Sequence, residues 1–248
     1  MCLIVFAWRP SHSQPLIVAA NRDEFYARPT QPLMQWPDAP RIHAGRDLEA
    51  GGTWMGIGSD GRFAALTNIR DPGQPTGRRS RGELVARYLS GAQSLEEYLA
   101  DTRSRTTEYT GFNLLLGDAR RLYYLSSTRP EPQCLAEGVY GVSNAGLNTP
   151  WPKLVKARAA LAGCLADPQP AALFELLADP TPAAAAELPD TGVGLATETL
   201  LSSVFIASPH YGTRASTVLI VNADGRRQMI EHSFGPLGAR LGEVELEL

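Results

Sequence analysis

A chain of 248 residues can bury a sizeable core and still form one large domain, here 1–248. With 44% hydrophobic and 20% charged residues and a net charge of −3, it reads as an ordinary globular protein, and the charge excludes a general nucleic-acid binder, which would show a basic excess or stripe. No apolar stretch reaches the length of a membrane span, and Met1 to Trp8 lacks a positive flank and a small-residue cleavage site, so the expectation is a cytoplasmic protein without stable membrane insertion.

The N-terminal half reads as strands and hairpins. Leu3 to Trp8 and Leu16 to Ala20 are apolar runs separated by a turn-rich break, and they pair as a hairpin. Gly52 to Ile57 and Arg62 to Ile69 flank the tight-turn sequence Ser59-Asp60-Gly61. Arg78, Arg79 and Arg81 read as a solvated loop before a helix. Two helices follow, opened by the capping boxes Ser80/Glu83 and Ser94/Glu97, the first closed by Gly91. Phe112 to Leu116 and Arg121 to Leu125 form another hairpin, and Val139 to Ser143 is a further strand. Trp151 to Leu165 is the longest helical pattern, with Pro152 near its start, and Ala171 to Ala178 is a shorter one. Asp179 to Gly194, rich in proline and alanine, reads as a mobile surface loop. Val204 to Ala207 reads as a strand, and Arg214 to Val221 pairs with Arg227 to His232 around Asp224-Gly225. Strands, helices, strands, helices, strands, with many antiparallel hairpins, predict an α+β fold: a four-layer αββα sandwich of two antiparallel sheets.

Three cysteines without close spacing, Cys2, Cys134 and Cys164, make neither a disulfide framework nor a zinc site, and no metal is expected. Cys134 and Cys164 read as small core residues. Cys2 differs. Methionine is normally removed before so small a residue, which would leave a thiol and a free α-amine together. Their ordinary pKa values, about 8.5 and about 7.7–8.0, let the amine take the thiol proton near neutral pH. That is a nucleophile and base without a histidine. By position alone, a buried small residue at a strand start is the commoner outcome, because surroundings set a thiol's reactivity. Asn21-Arg22-Asp23-Glu24 follows the second apolar run directly. A guanidinium beside the thiol would favour thiolate, and a carboxylate would hold the amine. The bland alternative is a solvated turn with local ion pairs.

Asn21-Arg22-Asp23-Glu24 is also the signature of the NRDE family, or transport and Golgi organisation family, which the chain resembles over nearly its whole length. The likeness includes Gly51-Gly52-Thr53-Trp54, Ala65-Leu66-Thr67-Asn68, Gly111-Phe112-Asn113-Leu114, Ser143-Asn144 through Trp151-Pro152-Lys153, and Tyr211-Gly212-Thr213-Arg214. More distantly the pattern is similar to the N-terminal-nucleophile (Ntn) cysteine hydrolases, including penicillin V acylases and bile salt hydrolases, which implies an Ntn-hydrolase-like fold. The resemblance implies catalytic roles for Cys2, Arg22, Asp23, Asn68, Asn144 and Arg214. Asn144 would donate to the oxyanion, a contact worth about 2.7–4 kcal/mol. Asn68 would orient amine or substrate, and Arg214 would lower the thiol pKa or steady the carboxylate. For each asparagine the alternative is a bond to its own turn, and for Arg214 an edge-strand ion pair. The chain departs from the acylase pattern in that Arg22 and Asp23 are adjacent. Either Asn21 or Arg22 could fill the arginine's place, and either Asp23 or Glu24 the aspartate's, according to strand register. Asn21 and Glu24 are therefore candidates for substrate binding.

Two functions follow. One is hydrolysis of an amide or thioester through an acyl-Cys2 intermediate, with no cofactor required. The other is a non-catalytic carrier of haem or of an acyl-CoA or lipid-linked ligand. His43 or His210 could supply a single axial haem ligand, but no Cys-x-x-Cys-His site exists. The expected partner is a small acyl, amide or haem-like molecule, and the oligomeric state is open. Trp36, Trp54 and Trp151 are candidates for lining its apolar pocket, with Trp151 foremost because it follows the Asn144 segment.

Overall fold

The first two strands carry apolar side chains on both faces, which only a sheet covered on both sides can bury. The computed structural model describes residues 2–248. Its strands are β1 (Cys2–Trp8), β2 (Leu16–Phe25), β3 (Thr30–Trp36), β4 (Ala39–Asp47), β5 (Met55–Gly58), β6 (Phe63–Asn68), β7 (Phe112–Gly117), β8 (Leu122–Ser126), β9 (Arg129–Cys134), β10 (Gly138–Val142), β11 (Tyr211–Val221), β12 (Arg227–Phe234) and β13 (Arg240–Glu247). Its helices are α1 (Gly82–Ser90), α2 (Leu95–Ser104), α3 (Pro152–Cys164), α4 (Pro170–Leu177) and α5 (Leu195–Leu201).

The strands form two antiparallel sheets, β10-β1-β2-β11-β12-β13 and β3-β4-β5-β6-β7-β8-β9. Alternation along each strand decides which core a residue joins. Ile4, Phe6 and Val18 face inward and meet Ile57, Phe63 and Leu115 of the second sheet. Leu3, Val5 and Ile17 face outward onto Leu154 and Leu161 of α3 and Leu173 of α4. Leu66, Leu114 and Leu116 pack on the other side against Leu84 and Tyr88 of α1 and Tyr98 of α2. Helices, sheet, sheet and helices are thus the four layers, the αββα sandwich expected from the sequence.

Several local readings are corrected. β3, β4, β9, α5 and β13 carry too many polar residues or prolines to announce themselves. β9 and β13 are edge strands with mostly exposed side chains, where Pro130 and Pro132 cost no central ladder bond. Cys134 ends β9 and is exposed rather than core, whereas Cys164 is half-buried at the margin of the α3 core. Val204 to Ala207 makes only an isolated bridge, Ala207 to Gly212. The Ser80/Glu83 box does not form: Arg81 is the N-cap of α1 and provides no side-chain cap, and Glu83 instead pairs with Arg79 and accepts from Tyr109. The Ser94/Glu97 box forms in full. The segment after α4 is pinned, with Ala183 N–H donating to Ser202 Oγ and Thr191 to Glu198.

Gly52 explains its place in the Gly-Gly-Thr-Trp run. A Cβ there would stand 2.4 Å from the Gly82 carbonyl carbon, so the chain before β5 can lie against the start of α1 only without a side chain. That approach sets Trp54 and Arg81 on the same cleft as Cys2 at the start of β1.

Candidate functional site

Register decides which polar residues meet Cys2. Cys2 pairs with Arg22 across β1 and β2, and Arg22 pairs onward with Ala215 of β11 beside a bulge at Arg214. Cys2, Arg22 and Glu24 therefore share the face between the sheets, while Asn21 and Asp23 belong to the outer face. Asn21 is saturated there: its Nδ2 donates to the Leu177 carbonyl at 2.9 Å and the Val204 carbonyl at 2.8 Å, and its Oδ1 accepts from Ser216 Oγ at 2.6 Å. It fastens β2 to α4 and does not reach substrate space, which corrects its reading as a binding residue. Of the two candidates for the arginine's place, Arg22 is the one that borders the cleft with Cys2.

Cys2, Arg22, Asp23, Glu24, Trp54, Asn68 and Arg214 all line one cleft of about 440 Å³ between the sheets. The Cys2 side chain lies at its floor, with the residue only 6% exposed. Burial pushes its thiol up, the Asp23 charge adds to this, and Arg22 and the Asp23 backbone N–H act against it. Asp23 is buried as well, and its Oδ1 accepts from Thr213 Oγ1 at 2.8 Å. Burial raises its carboxyl, opposed by Lys153, by Thr213 and by Arg22. Lys153, 3% exposed, has no hydrogen-bond partner for Nζ among the described residues, and burial brings its pKa down to about 8 against the pull of Asp23. Behind it lies the buried Arg70–Glu198 ion pair.

The segment after β10 is tied to Cys2 through its backbone. Ser143 Oγ lies 3.1 Å from the Cys2 carbonyl and 3.2 Å from Asn144 Oδ1. Asn144 Nδ2 donates to the Asn68 main-chain carbonyl at 2.9 Å, so the Asn144 side chain ties the segment after β10 to the end of β6 instead of capping its own turn. Among the described residues its second amide hydrogen has no acceptor, and the side chain, 1% exposed, does not itself line the cleft. Asn113 holds the segment from below. Its Nδ2 donates to the Ala145 carbonyl at 2.6 Å, and its Oδ1 accepts from Tyr124 Oη at 2.7 Å, which in turn accepts from Leu147 N–H at 3.2 Å. Asn148 completes the turn in the left-handed region (φ 56°), its Oδ1 accepting from Gly141 N–H at 2.9 Å.

Other candidates lie elsewhere. Trp151 packs against the Arg70 guanidinium at 4.7 Å, outside the cleft, because it precedes α3 on the outer face. Trp36 is buried under α1, donating to the Ala44 carbonyl at 3.1 Å. His43 is buried near Arg227 and His210 is exposed; neither borders the cleft. Arg214 does not contact the Asp23 carboxylate; its Nη1 donates to the Phe25 and Arg28 carbonyls. Three cleft or near-cleft residues escape sequence reasoning. Arg81, expected in a solvated loop, borders the cleft and is half-buried, which lowers its pKa. Glu231 of β12 is 4% exposed, accepts from Leu33 N–H at 2.8 Å, and is raised by burial to about 7. Lys153 stands within a quoted motif, and its charge on a helical face that must pack against β1 is the signal that could have found it.

Comparison with known proteins agrees with this architecture. A family model described as Transport and Golgi organisation 2 matches residues 1–236. The chain is 37% identical over 257 residues to the Transport and Golgi organization protein 2 homolog of Bos taurus, covering 94% of this chain and 93% of that one. It is 30% identical over 266 residues to Transport and Golgi organization protein 2 of Drosophila melanogaster, covering 94% and 92%. Among solved structures it is similar to the Caenorhabditis elegans N-acylethanolamine-hydrolyzing acid amidase ortholog, with TM-score 0.53, 12% identity, and coverage of 88% and 92%. It is also similar to the mutant C2A conjugated bile acid hydrolase from Clostridium perfringens, with TM-score 0.56, 7% identity, and coverage of 100% and 92%. At such identities the likeness is one of fold, the Ntn-hydrolase fold.

Proposed function

The chain belongs to the Transport and Golgi organisation 2 family, and on that premise we propose that it is an N-terminal-cysteine hydrolase cleaving an amide or thioester through an acyl-Cys2 intermediate. The observation that carries this reading is the seat of Cys2: a thiol at a strand end, on the floor of a cleft, paired in register with Arg22. Met1, whose removal the mechanism requires, lies outside the described residues.

With Met1 removed, the Cys2 α-amine takes the thiol proton and Sγ attacks the substrate carbonyl carbon. The developing oxyanion takes the free amide hydrogen of Asn144, whose side chain the Asn68 carbonyl holds in place. Collapse breaks the C–N or C–S bond, and the α-ammonium returns the proton to the leaving amine or thiolate. Water then attacks the thioester with the same amine as base, releasing the acid and the thiol. Asp23 steadies the α-ammonium, and Arg22 favours thiolate at the moment of attack. The two neighbours of the same fold are named for amide hydrolysis and for hydrolysis of a conjugated bile acid, which supports the reaction class. A haem or acyl-lipid carrier would have to use the cleft without His43 or His210.

The test is intact-mass spectrometry of the protein incubated with a panel of acyl thioesters and amides. The expected result is a Met1-free chain with an acyl adduct that is absent in Cys2→Ala. Full retention of Met1 in turnover-competent protein would refute the mechanism.

A further inference from the structure

Lys153 takes no part in the steps above, yet its place is costly. It is the second residue of α3, where an uncapped helix N-terminus already presents its positive end. It is 3% exposed, and its Nζ has no hydrogen-bond partner among the described residues. The first turn of α3 is pressed onto the sheet: a Cβ at Gly141 of β10 would stand 2.6 Å from Leu154 Cδ1, and Trp151 covers the Arg70 guanidinium. A methionine of similar length would fill the same space without these costs. The strongest charge acting on Lys153 is Asp23 of β2, followed by Arg70, Cys2 of β1 and Glu198 of α5. Arg70 and Glu198 are paired with each other. Tyr211 of β11 donates to the Asp23 carbonyl at 3.2 Å, and burial pushes its phenol up, so it is neutral. Among the described residues, Lys153 and Asp23 are therefore the remaining opposite charges on this side of β1. On the cleft side Cys2 feels Arg22 and Arg81, and Arg22 in turn faces Glu24 and Glu231. Asp23 is the charge that works against the Cys2 thiolate.

We propose that Lys153 is a positioning residue for Cys2: its buried ammonium is the counter-charge of Asp23, so that the carboxylate can stand beside Cys2 without suppressing the thiolate or holding the α-amine permanently protonated. This rests on Cys2 being the nucleophile of the proposed hydrolysis. An N-terminal base has to be neutral before attack, to take the thiol proton, and charged after it. A carboxylate alone favours only the charged form. A cation paired with that carboxylate offsets the bias before attack, and Asp23 is still present to receive the α-ammonium once it forms. Burial gives the pair its strength, since water screens neither charge.

The readout is the pH dependence of Cys2 alkylation by iodoacetamide on the full-length protein, followed by peptide mass spectrometry, which separates Cys2 from Cys134 and Cys164. No substrate is needed. In Lys153→Met the midpoint of the profile moves up by about half a pH unit or more, and the alkylation rate at pH 7 falls about threefold or more. In Lys153→Arg, which keeps a cation that does not titrate in this range, the midpoint stays nearer to wild type than to Lys153→Met. The double variant Asp23→Asn/Lys153→Met, which lacks both charges, returns toward the wild-type midpoint. A Lys153→Met midpoint within about 0.2 units of wild type overturns the inference. So does a double variant displaced as far as Lys153→Met, or an equal displacement in Lys153→Met and Lys153→Arg, either of which marks a merely structural role. If the midpoint shifts as expected while no acyl-Cys2 adduct forms with any thioester or amide, the hydrolase reading alone falls. If adducts form and the midpoint does not move, this inference alone falls.

Discussion

Replacing Lys153 by methionine asks whether an ammonium is really buried behind Asp23. An ordinary lysine side chain titrates at 10.5, and here burial, opposed only in part by Asp23, brings it to about 8. At about 1.4 kcal/mol per pH unit, that gap amounts to roughly 3 kcal/mol. The unfolded chain keeps the proton up to its ordinary pKa while the native protein releases it near pH 8. Between those values the unfolded state binds more protons, so the stability of the wild-type protein rises with pH. Below pH 8 both states are charged and the burial penalty is fully present; above 10.5 both are neutral and it is gone. Lys153→Met lacks this dependence. Part of its gain at neutral pH is offset because Asp23 loses a cation, so the informative quantity is the change in the difference between the two proteins. Urea unfolding followed by tryptophan fluorescence at pH 7 and pH 10.5 should show wild type gaining roughly 3 kcal/mol on the variant. A difference constant to within about 0.5 kcal/mol would refute the buried, unpartnered ammonium.

Glu231 carries the opposite sign. Burial raises its carboxyl from 4.5 to about 7, so the native protein keeps a proton that the unfolded chain has lost, and stability falls by roughly 3 kcal/mol as pH rises through that window. Glu231→Gln, which retains an acceptor for Leu33 N–H, should flatten that fall in urea titrations between pH 4.5 and 7.5; an unchanged slope would place the proton elsewhere. Gly52→Ala drives a methyl onto the Gly82 backbone, and a loss of about 2 kcal/mol or more is expected by thermal denaturation, together with weaker ligand binding as Trp54 and Arg81 shift. A variant as stable as wild type would mean that the approach of β5 to α1 is loosely held.

The sequence by itself determined the sandwich, because alternating or fully apolar runs such as Leu3 to Trp8 and Leu16 to Ala20 have few ways to be buried. It also brought Cys2 under suspicion by its place after Met1, and Asn68, Asn144 and Arg214 through motifs that resemble those of the Ntn cysteine hydrolases. It could not settle Asn21 to Glu24. Adjacent strand residues point to opposite faces, and only the pairing of Cys2 with Arg22 sends Arg22 and Glu24 into the cleft and Asn21 out onto α4. Nor could it place residues whose partners lie far along the chain. Arg81 enters the cleft because Gly52 lets α1 approach, Trp151 is drawn away by α3, and Glu231 is desolvated by the facing sheet. Local pattern fixes which residues form strands and helices; the charge balance and solvation of a site depend on what the other layers bring against it, and that is decided by tertiary packing alone.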